Sequence, residues 1–150
     1  MTCRYTHVNI VCKDWRALAD FYIEVFGCTE KPPERDLRGS WLDDLTGLSQ
    51  AHIQGVHLAL PGYEGDEPSL ELFTYDEAVQ EMPSAINQVG FAHIAFAVDD
   101  VEAYMQQVLK HGGSPVGQAV EADIASAGRI SVVYVRDPEG NIIELQKWAE

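Results

Sequence analysis

The chain carries one short pattern twice, and that duplication limits what it can fold into. Gly90 to Val101, GFAHIAFAVDDV, alternates over Phe91 to Val98 and then meets a helix start near Asp99 and Asp100. Ile94, Phe96 and Val98 point one way, while His93, Ala95 and Ala97 point the other, because successive strand residues face opposite sides. Near the start of the chain, Thr6-His7-Val8-Asn9-Ile10-Val11 does the same and leads to a helix from about Asp14. A histidine among small residues on one strand face has room beside it. Two such segments predict two modules, about 4–76 and about 90–148.

A chain of 150 residues suits one domain, 1–150, rather than two ordinary ones. Its net charge of −14 would repel phosphate backbones, so no nucleic acid and no anionic membrane is expected as a partner. No apolar run nears the roughly 18 to 20 residues of a membrane span, and MTCRYTH has no apolar stretch of a signal peptide. The expected location is cytoplasmic. Cys3, Cys12 and Cys28 are odd in number, lack CxxC spacing, and are expected to be free thiols.

Residues 5–12 predict the first strand. Asp14 suits a helix cap, and Trp15, Leu18, Ala19, Tyr22, Val25 and Phe26 recur at helical spacing before Gly27. Residues 31–55 are expected to be irregular, because Pro32-Pro33 breaks continuing structure. Trp41, Leu42, Leu45 and Leu48 suit one short helix there. Trp15 and Trp41 are expected in the core or an interface. A strand from Gly55 through Val56–Leu60 and another over Ser69–Tyr75 make a hairpin. In the second half, Val101, Tyr104, Met105 and Val108 form a helical stripe stopped by Gly112-Gly113. A polar loop over 114–128 leads to a strand over Arg129–Val135. Asp137-Pro138-Glu139-Gly140 is a strong turn signal, and Asn141–Gln146 is the last strand.

Four residues carry the chemistry: His7, Glu71, His93 and Glu144. Glu71 is flanked by Leu70 and Leu72, and Glu144 by Ile143 and Leu145. A buried carboxylate must be neutralised, partnered or placed on a cation. Taken singly, a strand histidine suits a core or rim position and a strand glutamate suits an exposed one. Repetition at equivalent places in both halves argues for a shared role. One divalent cation would satisfy two imidazoles and two carboxylates together, and such donors suit zinc, nickel, iron, cobalt or manganese.

The segments THVNIVCKDWRALADFYIEVFG, VGFAHIAFAVDDVEAYMQQVLKHGG and VRDPEGNIIEL resemble the vicinal oxygen chelate superfamily, the glyoxalase/bleomycin resistance protein/dioxygenase group. The resemblance covers nearly the whole chain. It implies an α+β fold of two βαβββ modules, whose curled mixed sheet surrounds a cleft holding a divalent metal. It also implies that His7, Glu71, His93 and Glu144 are the metal ligands, and that relatives often pair as homodimers. The chemistry implied is that of a lyase or isomerase acting on a small α-oxygenated carbonyl or acyl thioester substrate. A proton would move by way of a metal-bound enediolate, with Glu144 or Glu71 as the base. An iron-dependent extradiol-type dioxygenase and a binding or resistance protein that sequesters a small molecule are the alternatives.

Some positions depart from known members. Glyoxalase I proteins of the bacterial type hold glutathione through an arginine and an asparagine where this chain has Val11 and Tyr75. Methylmalonyl-CoA epimerases resemble the stretch around Trp41 to Leu48 but carry glutamine at the place of Glu71. Among the remaining residues, Arg35 and Arg38 are read as surface charges, with a role over the cleft as the alternative. Phe73 and His57 are candidate cleft residues; His52 and His111 are expected at the surface or a helix end.

Overall fold

Strand order repeats in the two halves. The computed structural model describes residues 3–65, 67–79 and 85–149, and the chain divides into two compact units, Met1–Gln80 and Glu81–Glu150. The first unit runs β1 (His7–Val11), α1 (Trp15–Phe26), β2 (Thr29–Arg38), α2 (Ser40–Thr46), β3 (His52–Ala59) and β4 (Ser69–Tyr75). Its sheet has the order β1-β4-β3-β2, with β1 parallel to β4 and the other pairs antiparallel. The second unit runs β5 (His93–Ala97), α3 (Val101–Lys110), β6 (Ser114–Pro115), β7 (Val120–Ile124), β8 (Gly128–Arg136) and β9 (Ile142–Trp148). There β5 is parallel to β9, β9 is antiparallel to β8, and β8 pairs antiparallel with both β6 and β7. Each unit is an α+β module with one mixed sheet, and its first strand lies parallel beside its last.

Local chemistry sets the helix limits. The Asp14 carboxylate accepts from the Arg16 and Ala17 amides at 3.1 Å, satisfying amide groups that the first turn of α1 leaves unbonded. Gly27, at φ 71°, stops the helix in a conformation that costs glycine nothing. Asp100 caps α3 in the same way through Ala103 N at 2.9 Å. The apolar stripe of α1 lies on β3 and β4, where Val56, Leu58, Leu70 and Leu72 are at most 1% exposed. Burying one such side chain contributes about 1.5–3 kcal/mol. Val133, Val135, Ile143 and Leu145 play that part beneath α3.

Since strand residues alternate, the opposite face of the first sheet carries His57, Glu71, Phe73 and Tyr75. There Leu42 of α2 packs with Ala51 and Ile53, and Leu37, Phe73 and Tyr75 close around them. This small second core fixes α2 over the face away from α1. The open space beside it is the cavity described below.

The DPEGN turn holds the last hairpin. Asp137, 2% exposed, accepts from the Glu139 and Asn141 amides at 2.9 and 3.0 Å and from Asn141 Nδ2 at 2.8 Å. Gly140 donates to the Asp137 carbonyl at 3.0 Å and has φ 96°. Among the described residues the three cysteines form no disulfide, and burial pushes the Cys28 thiol up to about 11. No described helix is long and apolar enough to cross a membrane.

Several expected boundaries move. The stretch after Gly27 is strand β2, not irregular chain, and it passes through Pro32-Pro33. Proline is tolerated there because β2 is an edge strand, and the register breaks between Lys31 and Arg35. Strand β3 starts at His52, so Gly55 lies in its interior rather than at its start. Leu48 falls beyond α2, which ends before Gly47 at φ 72°. The loop over 114–128 contains β6 and β7; the apolar residues of β7, Val120 and Ile124, are 52% and 44% exposed, so the core pattern that marks a buried strand is missing. Strand β5 covers His93–Ala97, shorter than Phe91 to Val98.

Candidate functional site

The histidine–glutamate pairs arise from identical strand registers. In the first unit Glu71 of β4 lies opposite Asn9, two residues after His7 on β1. In the second, Glu144 of β9 lies opposite Ala95, two residues after His93 on β5. Residues two apart share a strand face, so each glutamate meets its histidine on one side of the sheet. His7 Nε2 is 3.4 Å from Glu71 Oε2, and His93 Nε2 is 3.3 Å from Glu144 Oε2. Each pair belongs to its own unit. Among the described residues no group of three or more His, Cys, Asp or Glu side chains gathers with metal-holding geometry.

The spacing within each pair suits a cation. Ligand atoms each about 2.1 Å from one ion sit roughly 3.0–3.4 Å apart. A good N–H···O hydrogen bond is shorter, about 2.9–3.0 Å. The carboxylates are withdrawn from water: Glu71 is 9% exposed and Glu144 is half-buried. A carboxylate in such a place favours a positive partner. Neutral imidazole and carboxylate are the donor types a borderline divalent metal takes.

A third residue completes each set from the neighbouring strand. His57 of β3 stands opposite Glu71, and Tyr134 of β8 stands opposite Glu144. His57 Nε2 is 3.1 Å from Glu71 Oε1, so that carboxylate has one oxygen toward His7 and the other toward His57. Asn9 Nδ2 donates to Glu71 Oε2 at 3.4 Å. Tyr134 hydrogen-bonds Glu144, which raises the pKa of the phenol, and its ring lies 5.2 Å from that of His93. Burial lowers the pKa of His57, with help from Arg35 and Lys31 and against the pull of Glu71. The imidazole is therefore mostly neutral at pH 7.

The first unit carries an open cavity of about 370 Å3 beside its pair. His7, Asn9, His57 and Glu71 line one end. Leu42, Leu45, Ile53, Phe73 and Tyr75 line the rest, with Trp41 and Arg35 on the wall. Gly55 makes room for Phe73: a Cβ at that position would sit 2.5 Å from the Phe73 ring and 2.1 Å from the Leu72 carbonyl oxygen. The ring lies 5.7 Å from that of His57.

Of the residues singled out in the sequence, Phe73 and His57 do line the cavity. Trp41 is not a core residue; it is 53% exposed on the cavity wall, because only Leu42 of α2 turns fully inward. Trp15 is buried, as expected. Arg35 lines the cavity, whereas Arg38 bonds to Asp36 and His52. His52 is not a simple surface residue; its ring bridges Asp36 and Asp76 at 2.8 Å on each nitrogen. Tyr134 escaped the sequence reading. The signal was the hairpin itself, since positions equidistant from the DPEG turn pair across it.

A family model described as the Glyoxalase/Bleomycin resistance protein/Dioxygenase superfamily matches residues 4–145. YaeR of Escherichia coli K12, described as uncharacterized, is 26% identical over 140 residues, covering 93% of this chain and 92% of its own. The crystal structure of a glyoxalase family protein from Bacillus cereus superposes with a TM-score of 0.85 at 20% identity, over 100% of this chain and 97% of that one. A glyoxalase/bleomycin resistance protein/dioxygenase domain from Frankia sp. EAN1pec gives a TM-score of 0.64 at 17% identity, over 99% and 100% of the two chains.

Proposed function

The chain belongs to the glyoxalase/bleomycin resistance protein/dioxygenase superfamily, and from that premise we propose that it is a divalent-metal-dependent lyase or isomerase of the glyoxalase type. Its substrate in this reading is a small α-oxygenated carbonyl compound, and both units work as one domain. The observation that carries the reading is the repeated pair: a histidine and a half-buried or buried glutamate at ligand spacing, in the same register in both units.

His7, Glu71, His93 and Glu144 would hold the ion, with nickel, cobalt, zinc, manganese or iron as candidates. When bound, such an ion supplies a Lewis acid that polarises the substrate's neighbouring oxygens. The chain's own residues do the rest. One glutamate, Glu71 or Glu144, takes the proton from the carbon beside the carbonyl and returns it. His57 and Tyr134 hold the two carboxylates through their second oxygens or shared hydrogen bonds, which limits how far each swings. Leu42, Phe73 and Tyr75 offer an apolar wall beside the reacting carbon. Homodimer formation in a reducing, cytoplasmic setting belongs to the same reading.

Solvent deuterium exchange tests it. The protein, loaded in turn with each candidate metal, is incubated in deuterium oxide with small 2-hydroxy and 2-oxo carbonyl compounds. Metal-dependent deuterium at the α-carbon, lost in Glu71→Gln or Glu144→Gln, supports the reading. Oxygen uptake with ring cleavage of catechols in the iron form would instead favour the dioxygenase. Ligand binding without turnover under any metal would favour a sequestering protein.

A further inference from the structure

The cavity of the first unit has two unlike ends, and their chemistry narrows the substrate; this step rests on the site reading above. The polar end is His7, Asn9, His57 and Glu71. The opposite wall is hydrocarbon from α2 and the sheet. On it, Trp41 and Leu45 remain 53% and 74% exposed. Large apolar side chains left open beside a cavity gain stability when a ligand covers them.

One cationic side chain lines the cavity. Arg35 of β2 is half-buried and lies opposite Gly55, two residues before His57 on β3. It is the one Lys or Arg among the described residues lining this cavity. Its guanidinium donates to the Pro33 carbonyl, which fixes the stem and leaves the planar donor edge with further N–H groups. It is close enough to affect the His57 imidazole.

We propose that the substrate is a small monocarboxylate with an oxygen on its α-carbon and a short apolar chain or ring. The carboxylate pairs with Arg35. The α-oxygen meets the His7 and Glu71 end. The chain lies along Trp41, Leu45 and Phe73. A glutathione conjugate brings two carboxylates and an ammonium group, and a coenzyme A thioester brings several phosphates. One guanidinium and an apolar wall match neither.

Isothermal titration calorimetry on the full chain, with and without nickel, tests this with four probes: lactate, 2-hydroxyhexanoate, 1,2-hexanediol and glutathione. Each buried methylene raises affinity about fourfold, so 2-hydroxyhexanoate should bind on the order of 60-fold tighter than lactate. Arg35→Gln should weaken 2-hydroxyhexanoate about tenfold or more and leave 1,2-hexanediol unchanged. Leu45→Ser should shrink the chain-length effect and spare lactate. Equal binding of lactate and 2-hydroxyhexanoate, tighter binding of glutathione, or indifference to Arg35→Gln would overturn the proposal. Chain-length and Arg35 dependence in a protein that takes up no metal would keep this inference and discard the metal reading. Metal uptake with no chain-length dependence would do the reverse.

Discussion

His57 and Tyr134 stand at the same point of the two units, each directly across an antiparallel strand pair from its module's glutamate. Around them the units are alike: a histidine on one neighbouring strand, a glutamate in the middle, a hydrogen-bonding side chain on the other. The duplication thus keeps the histidine–glutamate pair and varies its support. An imidazole holds Glu71, and a phenol holds Glu144.

That difference predicts separable effects on metal affinity. Removing a hydrogen bond to a ligating carboxylate costs about 10–100-fold in metal affinity. His57→Ala and Tyr134→Phe should each weaken nickel or zinc binding within that range in competition titrations. His57→Gln, which keeps a donor, should restore part of the loss. Unchanged affinity in both variants would mean these side chains do not hold the glutamates.

His52 predicts a pH-dependent stability. Its ring sits between Asp76 and Asp36, with Arg38 Nη2 2.9 Å from Nε2. The hydrogen bond to Asp76, then that to Asp36, raises its pKa, while partial burial and Arg38 oppose the rise. A folded pKa above the unfolded value means that the protonated form stabilises the fold. That contribution is whole below about pH 6.5 and is lost as pH climbs through the raised value. The melting temperature should therefore fall over this window, and His52→Gln should flatten the fall. An identical slope in the variant would contradict the assignment.

Gly55 predicts a packing defect on the site face. Its Cα must pass beneath the Phe73 ring and beside the Leu72 carbonyl. Gly55→Ala should cost about 1–3 kcal/mol in urea unfolding, because backbone has to move. It should also displace Phe73 from His57, visible as altered His57 ring resonances. A variant as stable as the parent would show that the strands separate more easily than their register implies.

Asp137 predicts a turn held by one carboxylate. Asp137→Ala would leave the Glu139 and Asn141 amides without that acceptor and should cost about 1–3 kcal/mol. Asp137→Asn keeps one acceptor oxygen and should cost less. Equal losses in the two variants would point to packing rather than hydrogen bonding.

Much of this architecture could be read from the residues. Alternation around His7 and His93, the caps at Asp14 and Asp100, and the DPEG turn are local signals, and the folded chain uses them as such. The glutamates were visible because each breaks an apolar run. Strand β2 was hidden, since an edge strand needs neither an apolar face nor every amide, and its prolines read as a break. Strand β7 was hidden because it is open to solvent. His57 was legible as a cleft candidate on its own strand, but its pairing with Glu71, and Tyr134 altogether, depended on register across hairpins, which single-strand patterns do not carry. The His52 cluster joins residues from 36 to 76, far apart in the chain, so nothing local marked it.

In the proposed function the two pairs serve one ion, and metal stoichiometry tests this most directly. Equilibrium titration of the full chain with nickel or zinc, followed by elemental analysis, should give one ion per chain. His7→Ala in the first unit and Glu144→Ala in the second should each weaken that single site by orders of magnitude while the fold persists by circular dichroism. Two ions per chain, binding lost in only one of the variants, or no uptake at all would contradict a shared centre.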